Sequence, residues 1–241
     1  MYKEHSSFLP VPDDTIIWRF MDFSQFYKML EDKSLFFSVP SEFNDPWEAH
    51  IPRILGPSEG VPMASSEINE LAALVTQEAR EDLGVNCWHI NNFQSEAFWR
   101  IYGNRAIGIQ STFQRLKASF RDYLQHNVYI GKVEYIDYDS TRINIDNFFN
   151  GILRKRKSFE HERELRAVIW QKEFIAGAGS PHLFESKKGQ NVSVNLSSLI
   201  ERVYVNPFGS DWFLDVVRQA CFRHGLSSEC ERSNLLSPPS L

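Results

Sequence analysis

Residues 158–170 read SFEHERELRAVIW and set Glu160, Glu162 and Glu164 at every second position, with His161, Arg163 and Arg166 interleaved. Like charges on neighbouring positions repel unless a cation, a partner or a substrate uses them. As a strand, Glu162, Glu164 and Arg166 share one face, and Arg166 can pair with Glu164. Apolar Val168 and Trp170 continue that face, so a carboxylate stands at the buried end of a strand. One reading is an active-site edge; the other is a solvated ladder of charge at a strand entrance. Neutralising Glu164 is then expected to leave stability unchanged or raised, because it relieves repulsion with Glu162.

Three further constellations carry chemistry. FNDPWE (43–48) is a turn signal in which Asn44 and Asp45 are expected to bond backbone groups, and it can present Asp45 and Glu48 at a cleft rim. In FWRIYGN (98–104), Trp99 and Tyr102 are three apart on a helix that Gly103 ends; such a pair is core, or it stacks on a planar ring. CWHI (87–90) offers a Cys87-x-His89 pair, but no second pair stands at zinc-ligand spacing, which favours a small buried thiol beside a satisfied histidine. No metal site is expected. A Gly-rich phosphate loop, a nucleophile elbow, an HExxH helix and the kinase motif set are all missing from the sequence.

The elements that must position these residues follow from periodicity. TIIWRF (15–20), KSLFFSVP (33–40), VNCWHI (85–90), RAIGIQST (105–112), NVYIGKVEYI (127–136), LRAVIW (165–170), VSVNL and ERVYVNP read as strands. Helices are expected at DFSQFYKMLEDK, from Ile68 to Ala79 with Gly84 as its cap, at 113–123, through IDNFFNGILRKRK (145–157) and at SDWFLDVVRQACFRHG. ILGPSEGVPMASS (54–66) is the strongest loop signal. The order predicts α+β: a single domain over 14–226 on a split or strongly bent mixed sheet with flanking helices, with residues 1–13 and 227–241 as loose tails. With 241 residues, 42% of them hydrophobic, a net charge of −5 and three widely spaced cysteines, the chain reads as a globular protein of a reducing cytoplasm. The acidic balance argues against a broad nucleic-acid surface, and no apolar run approaches a membrane span of about 20 residues.

Taken in order, WRF (18–20), LFFS with FNDPWE (35–48), CWH (87–89), WRIYGN with GIQST (99–112), GKVEY (131–135) and HERELR (161–166) resemble a large bacterial family of domains of unknown function. The likeness covers roughly 17–205, and the chain departs from it at Trp88 and His89, where that family has Phe-Ser. The order of elements is in turn similar to the ADP-ribosyltransferase fold, which binds NAD in the cleft of a split sheet without a Gly-rich loop. That resemblance implies an NAD-consuming enzyme, with a bacterial toxin or phage-defence effector as its setting. It further implies Glu164 as the carboxylate facing an oxocarbenium-like transition state and Glu162 as the group that activates an acceptor, whether protein or nucleic acid. Arg19 would hold the pyrophosphate, Tyr102 or Trp99 would stack on nicotinamide, and Asn44 and Asp45 would lie at the cofactor cleft. Two other classes stand beside it: a non-catalytic ligand-sensing or interaction domain, and a nuclease using Asp45, Glu48 and the glutamates as Mg²⁺ ligands.

Overall fold

A computed structural model describes residues 1–51, 65–141, 147–173 and 181–238. Strand β1 (Ile16–Asp22) runs directly into helix α1 (Phe23–Asp32) through a capping box. The Asp22 carboxylate accepts the Ser24 N–H at 2.7 Å, and Gln25 accepts the Asp22 N–H at 3.2 Å. Lys33, left-handed at φ 48°, closes α1 and turns the chain into β2 (Ser34–Ser38). There follow α2 (Ser65–Asp82), β3 (Leu83–Ile90), α3 (Glu96–Tyr102), β4 (Ala106–Thr112), α4 (Phe113–Ser119), β5 (Tyr129–Lys132), β6 (Glu134–Ile136), β7 (Arg154–Arg156) and β8 (Glu164–Trp170). The chain ends through β9 (Gly189–Ser193), α5 (Leu196–Leu199), β10 (Arg202–Val205), α6 (Asp211–Arg223) and β11 (Glu229–Arg232).

Nine of these strands join one mixed sheet, ordered β11-β10-β4-β1-β3-β2-β9, with β8 on the other edge of β3 and β5 beyond it. The α+β architecture on a split mixed sheet is therefore observed. The split has a definite place. β1 and β3 share only the pairs Ile17–Ile90 and Trp18–His89, and β2 and β3 share only Ser38–Val85. By contrast β1 follows β4 from Ile16 to Asp22, and β8 follows β3 from Leu83 to His89. Between Val85 and His89, then, β3 has an edge that neither β1 nor β2 covers.

The β3–β8 register sorts side chains by face. Trp88, Leu165, Ala167 and Ile169 join the main core with Phe37 and Phe120, whereas Val85, Cys87 and Val168 face a second cluster built on Ala49, Tyr129, Phe149 and Ile152. A third cluster packs α3 on β1 through Trp99, Trp18 and Phe20. Gly108 makes that packing possible, since a Cβ there would stand 2.8 Å from Trp99 Cη2.

Several expected elements differ. The helix expected over 145–157 is a 3-10 turn at Phe148–Asn150 followed by β7, paired parallel with β6; residues 142–146 lie outside the described residues. Period 2 wins in β7 because Lys155 points inward to buried carboxylates while Arg154 and Arg156 stay half-exposed. Gly84 does not cap α2 but lies inside β3, where Ile169 leaves no room for a Cβ. The loop expected at 54–66 lies outside the described residues except for Ser65 and Ser66, which begin α2. Neither end is loose where it is described. Phe8 is buried against Tyr129 and Phe149, Tyr2 bridges Val128, and β11 extends the sheet in parallel with β10.

Candidate functional site

The site lies where the sheet opens. Beyond Trp18, β1 diverges from β3, and Arg19 crosses the gap to donate from Nη1 to the Cys87 carbonyl at 2.6 Å. That carbonyl lies on the uncovered edge of β3, so the bond replaces a missing ladder partner. Arg19 has no carboxylate partner among the described residues, and burial pulls its pKa down. It also lines a cleft of about 520 Å³ between β1, α1 and β2, with Met21, Lys28, Leu35, Phe36 and Asn191.

On the other edge of β3 stands a buried ionic cluster. Arg166, fully buried, donates from Nε to Glu164 at 2.6 Å, contacts both Glu48 oxygens at 2.9 and 3.0 Å, and reaches the Ile152 carbonyl at 2.8 Å. Lys155 meets Glu48 at 3.1 Å, Glu162 at 2.5 Å and Glu164 at 3.0 Å. Three carboxylates thus share two cations. Their alternation in sequence is not what joins them, because residues Lys157–Glu162 form a 3-10 turn and Arg163 adopts a left-handed φ of 45° before β8 begins. The face sharing expected of a strand through Glu162 is replaced by a turn that folds Glu162 back onto Lys155.

The two adjacent glutamates are driven apart in acidity. Burial alone would raise Glu164, but Arg166, a hydrogen bond from Glu162 and Lys155 outweigh it and hold the carboxyl far below the usual range. Burial and the neighbouring Glu164 push Glu162 up to about 7. Environments that separate two carboxyls in this way give one fixed anion and one group able to exchange a proton near neutrality. Lys155 and Arg166 are held protonated by Glu164 and Glu48 against the pull of burial. The Cys87 thiol is pushed up to about 12 by burial, so it stays neutral.

Tyr102 lies within electrostatic reach of Arg19, Glu162 and Glu164. Tyr102 is 37% exposed, lies stacked by Phe20 at 6.3 Å, and has its hydroxyl pKa raised by burial, with Arg19 opposing and Glu162 and Glu164 adding. Trp99 does not join them: it is fully buried, edge-on to Phe20, with its indole N–H on Gln94 at 3.2 Å, and has no surface for a ligand. Asp45 accepts the Trp47 N–H at 3.1 Å and pairs with Arg156 at 2.8 Å, which makes the turn structural on that side, while exposed Asn44 makes no side-chain hydrogen bond among the described residues. Each carboxylate of the metal-dependent alternative already has a cation: Asp45 has Arg156, and Glu48, Glu162 and Glu164 share Lys155 and Arg166. Lys155 and His89 were not among the expected site residues. RKRK reads as a basic surface run, and a lone His beside a Cys reads as core. The signal that could have found Lys155 is the surplus of carboxylates itself, which demands an inward cation.

Among the described residues no helix is long and apolar enough to cross a membrane. No protein-family model matches the chain, and no curated protein matches it in sequence. Two solved structures of a DarT from Thermus sp. 2.9 align with it over most of their length. The complex with NAD+ has a TM-score of 0.36 and 8% identity, covering 92% of this chain and 96% of that one. The complex with ADP-ribosylated ssDNA has a TM-score of 0.37 and 9% identity, covering 93% and 97%. Likeness at this level assigns neither family nor activity.

Proposed function

We propose that the protein is an NAD-consuming enzyme of the ADP-ribosyltransferase type, with its site at the split between β1 and β3. The observation that carries this reading is Arg19: a guanidinium set in the opening of the sheet, lining a cleft of about 520 Å³, with no carboxylate partner among the described residues. A desolvated cation without an anion is costly, and a diphosphate supplies two acceptors in the fork geometry of arginine. With the diphosphate on Arg19, one end of a dinucleotide enters the cleft and the other meets Tyr102 and Glu162.

Breaking the nicotinamide–ribose bond builds positive charge at the ribose C1, which a fixed negative field stabilises. Glu162 is the better candidate for contact with the ribose, because its side chain is 20% exposed against 6% for Glu164. Glu164 acts behind it by holding Lys155 and Arg166. The bacterial toxin or phage-defence setting rests on the family resemblance alone. The engagement of both Glu164 oxygens favours a second reading, a ligand-binding domain without turnover.

Incubation with NAD and chromatographic detection of free nicotinamide separates the two. Release by the parent protein and not by Arg19→Ala is expected. Saturable NAD binding without release would leave the second reading, and no binding would overturn both.

A further inference from the structure

His89 sits at the hinge of the split, paired with Trp18 of β1 on one edge and Glu164 of β8 on the other. Its backbone is therefore held on both sides at the point where the two half-sheets part. The ring lies against Phe98, with centroids 3.9 Å apart, and beside Phe20 at 6.3 Å. Nδ1 is 2.8 Å from the Glu162 carbonyl oxygen. A carbonyl only accepts, so Nδ1 carries the hydrogen and the neutral ring presents a lone pair at Nε2. Nδ1 makes the ring's one hydrogen bond among the described residues, and the side chain keeps some exposure through which Nε2 can be reached.

We propose that His89 is the general base of the transfer, a role that rests on the NAD-consuming reading above. The oxygen of an acceptor O–H attacks the ribose C1 and forms the new C–O bond. The acceptor proton passes to His89 Nε2. The C1–N bond breaks with its electron pair going to the nicotinamide ring nitrogen, which leaves neutral. The groups facing the ring fit this cycle. Burial lowers its proton affinity and keeps it a free base at neutral pH, Arg19 from β1 and Lys155 from β7 act in the same direction, and the Glu162 carbonyl and Glu164 from β8 stabilise the imidazolium once formed. The activation of the acceptor thus falls to His89 rather than to Glu162, whose carbonyl orients the imidazole.

In His89→Asn the side-chain amide can still donate to the Glu162 carbonyl, but no base remains. Nicotinamide release with water as the O–H acceptor should fall about 100- to 10,000-fold. The NAD Kd from calorimetry should stay within about twofold of the parent, since His89 Nε2 serves the acceptor and not NAD. In His89→Ala, added imidazole should restore part of the rate, which a purely structural role would not allow. Nitrogen NMR of the imidazole in the parent, which needs no variant, should find the proton on Nδ1. Turnover that survives His89→Asn, failure of imidazole rescue, or a proton on Nε2 overturns this inference alone. A parent protein that releases no nicotinamide overturns it together with the proposed function.

Discussion

Neutralising Glu164 tests the ionic cluster directly. Its side chain is 6% exposed, and its two partners, Arg166 and Lys155, are 0% and 8% exposed. Removing one partner of a buried ion pair costs about 3–5 kcal/mol when the other is left uncompensated. Here the cations are not abandoned: Arg166 keeps Glu48 at 2.9 Å, and Lys155 keeps Glu48 and Glu162 at 3.1 and 2.5 Å. Glu164→Gln should therefore cost less than the full amount, about 2–3 kcal/mol. For a chain of this size that lowers Tm by roughly 4–12 °C. Scanning calorimetry measures it, with exposed Glu160→Gln as the control, expected within about 0.5 kcal/mol of the parent. This reverses the expectation from sequence alone, where repulsion from Glu162 was the leading effect. A Glu164→Gln variant as stable as the parent would show that the cluster does not need this anion.

Glu162 makes stability depend on pH. With its pKa raised from 4.5 to about 7, the folded protein keeps a proton that the unfolded chain has released, so this contribution is present below pH 4.5 and is lost as pH rises towards 7. Relative to Glu162→Gln, which mimics the protonated form, the parent's urea midpoint should fall across that window, and parallel curves would refute the shift. Gly108→Ala should destabilise by about 1–3 kcal/mol through its clash with Trp99, read from the same urea midpoints. At the turn, Asp45→Ala should cost about 1–2 kcal/mol, because its bonds to Trp47 and Arg156 go with the carboxylate. Asn44→Ala should change stability by less than about 0.5 kcal/mol, and equal effects would assign the turn's stability to other contacts.

Much of the frame was legible because local chemistry and global packing agree. The apolar runs of TIIWRF and LRAVIW, and the stripe of Phe23, Phe26, Tyr27 and Leu30, each specify an element that the sheet then uses, although it is Phe26, Met29 and Leu30 that the helix buries. The split was expected from the resemblance, while its position between Trp18–His89 and Ser38–Val85 depends on long-range pairing that no local pattern encodes. The glutamate run stands out in the sequence, but its meaning is not local. Its partners are Lys155, Arg166 and Glu48, and Glu48 lies 118 positions before Arg166. A charged strand such as Arg154–Arg156 carries no apolar period, so β7 left no signal of its own, and the surplus of carboxylates was the one pointer to an inward Lys155. Trp99 shows the opposite limit: a helical aromatic pair reads the same whether one member is core or both face a ligand.

The most direct test is a structure of the protein with an NAD analogue whose nicotinamide–ribose bond cannot be cleaved. The proposed function places the diphosphate within hydrogen-bonding distance of the Arg19 guanidinium, with the ribose towards Glu162 and the nicotinamide ring against Tyr102. An analogue bound elsewhere, or a split between β1 and β3 that stays empty at millimolar analogue, would contradict it.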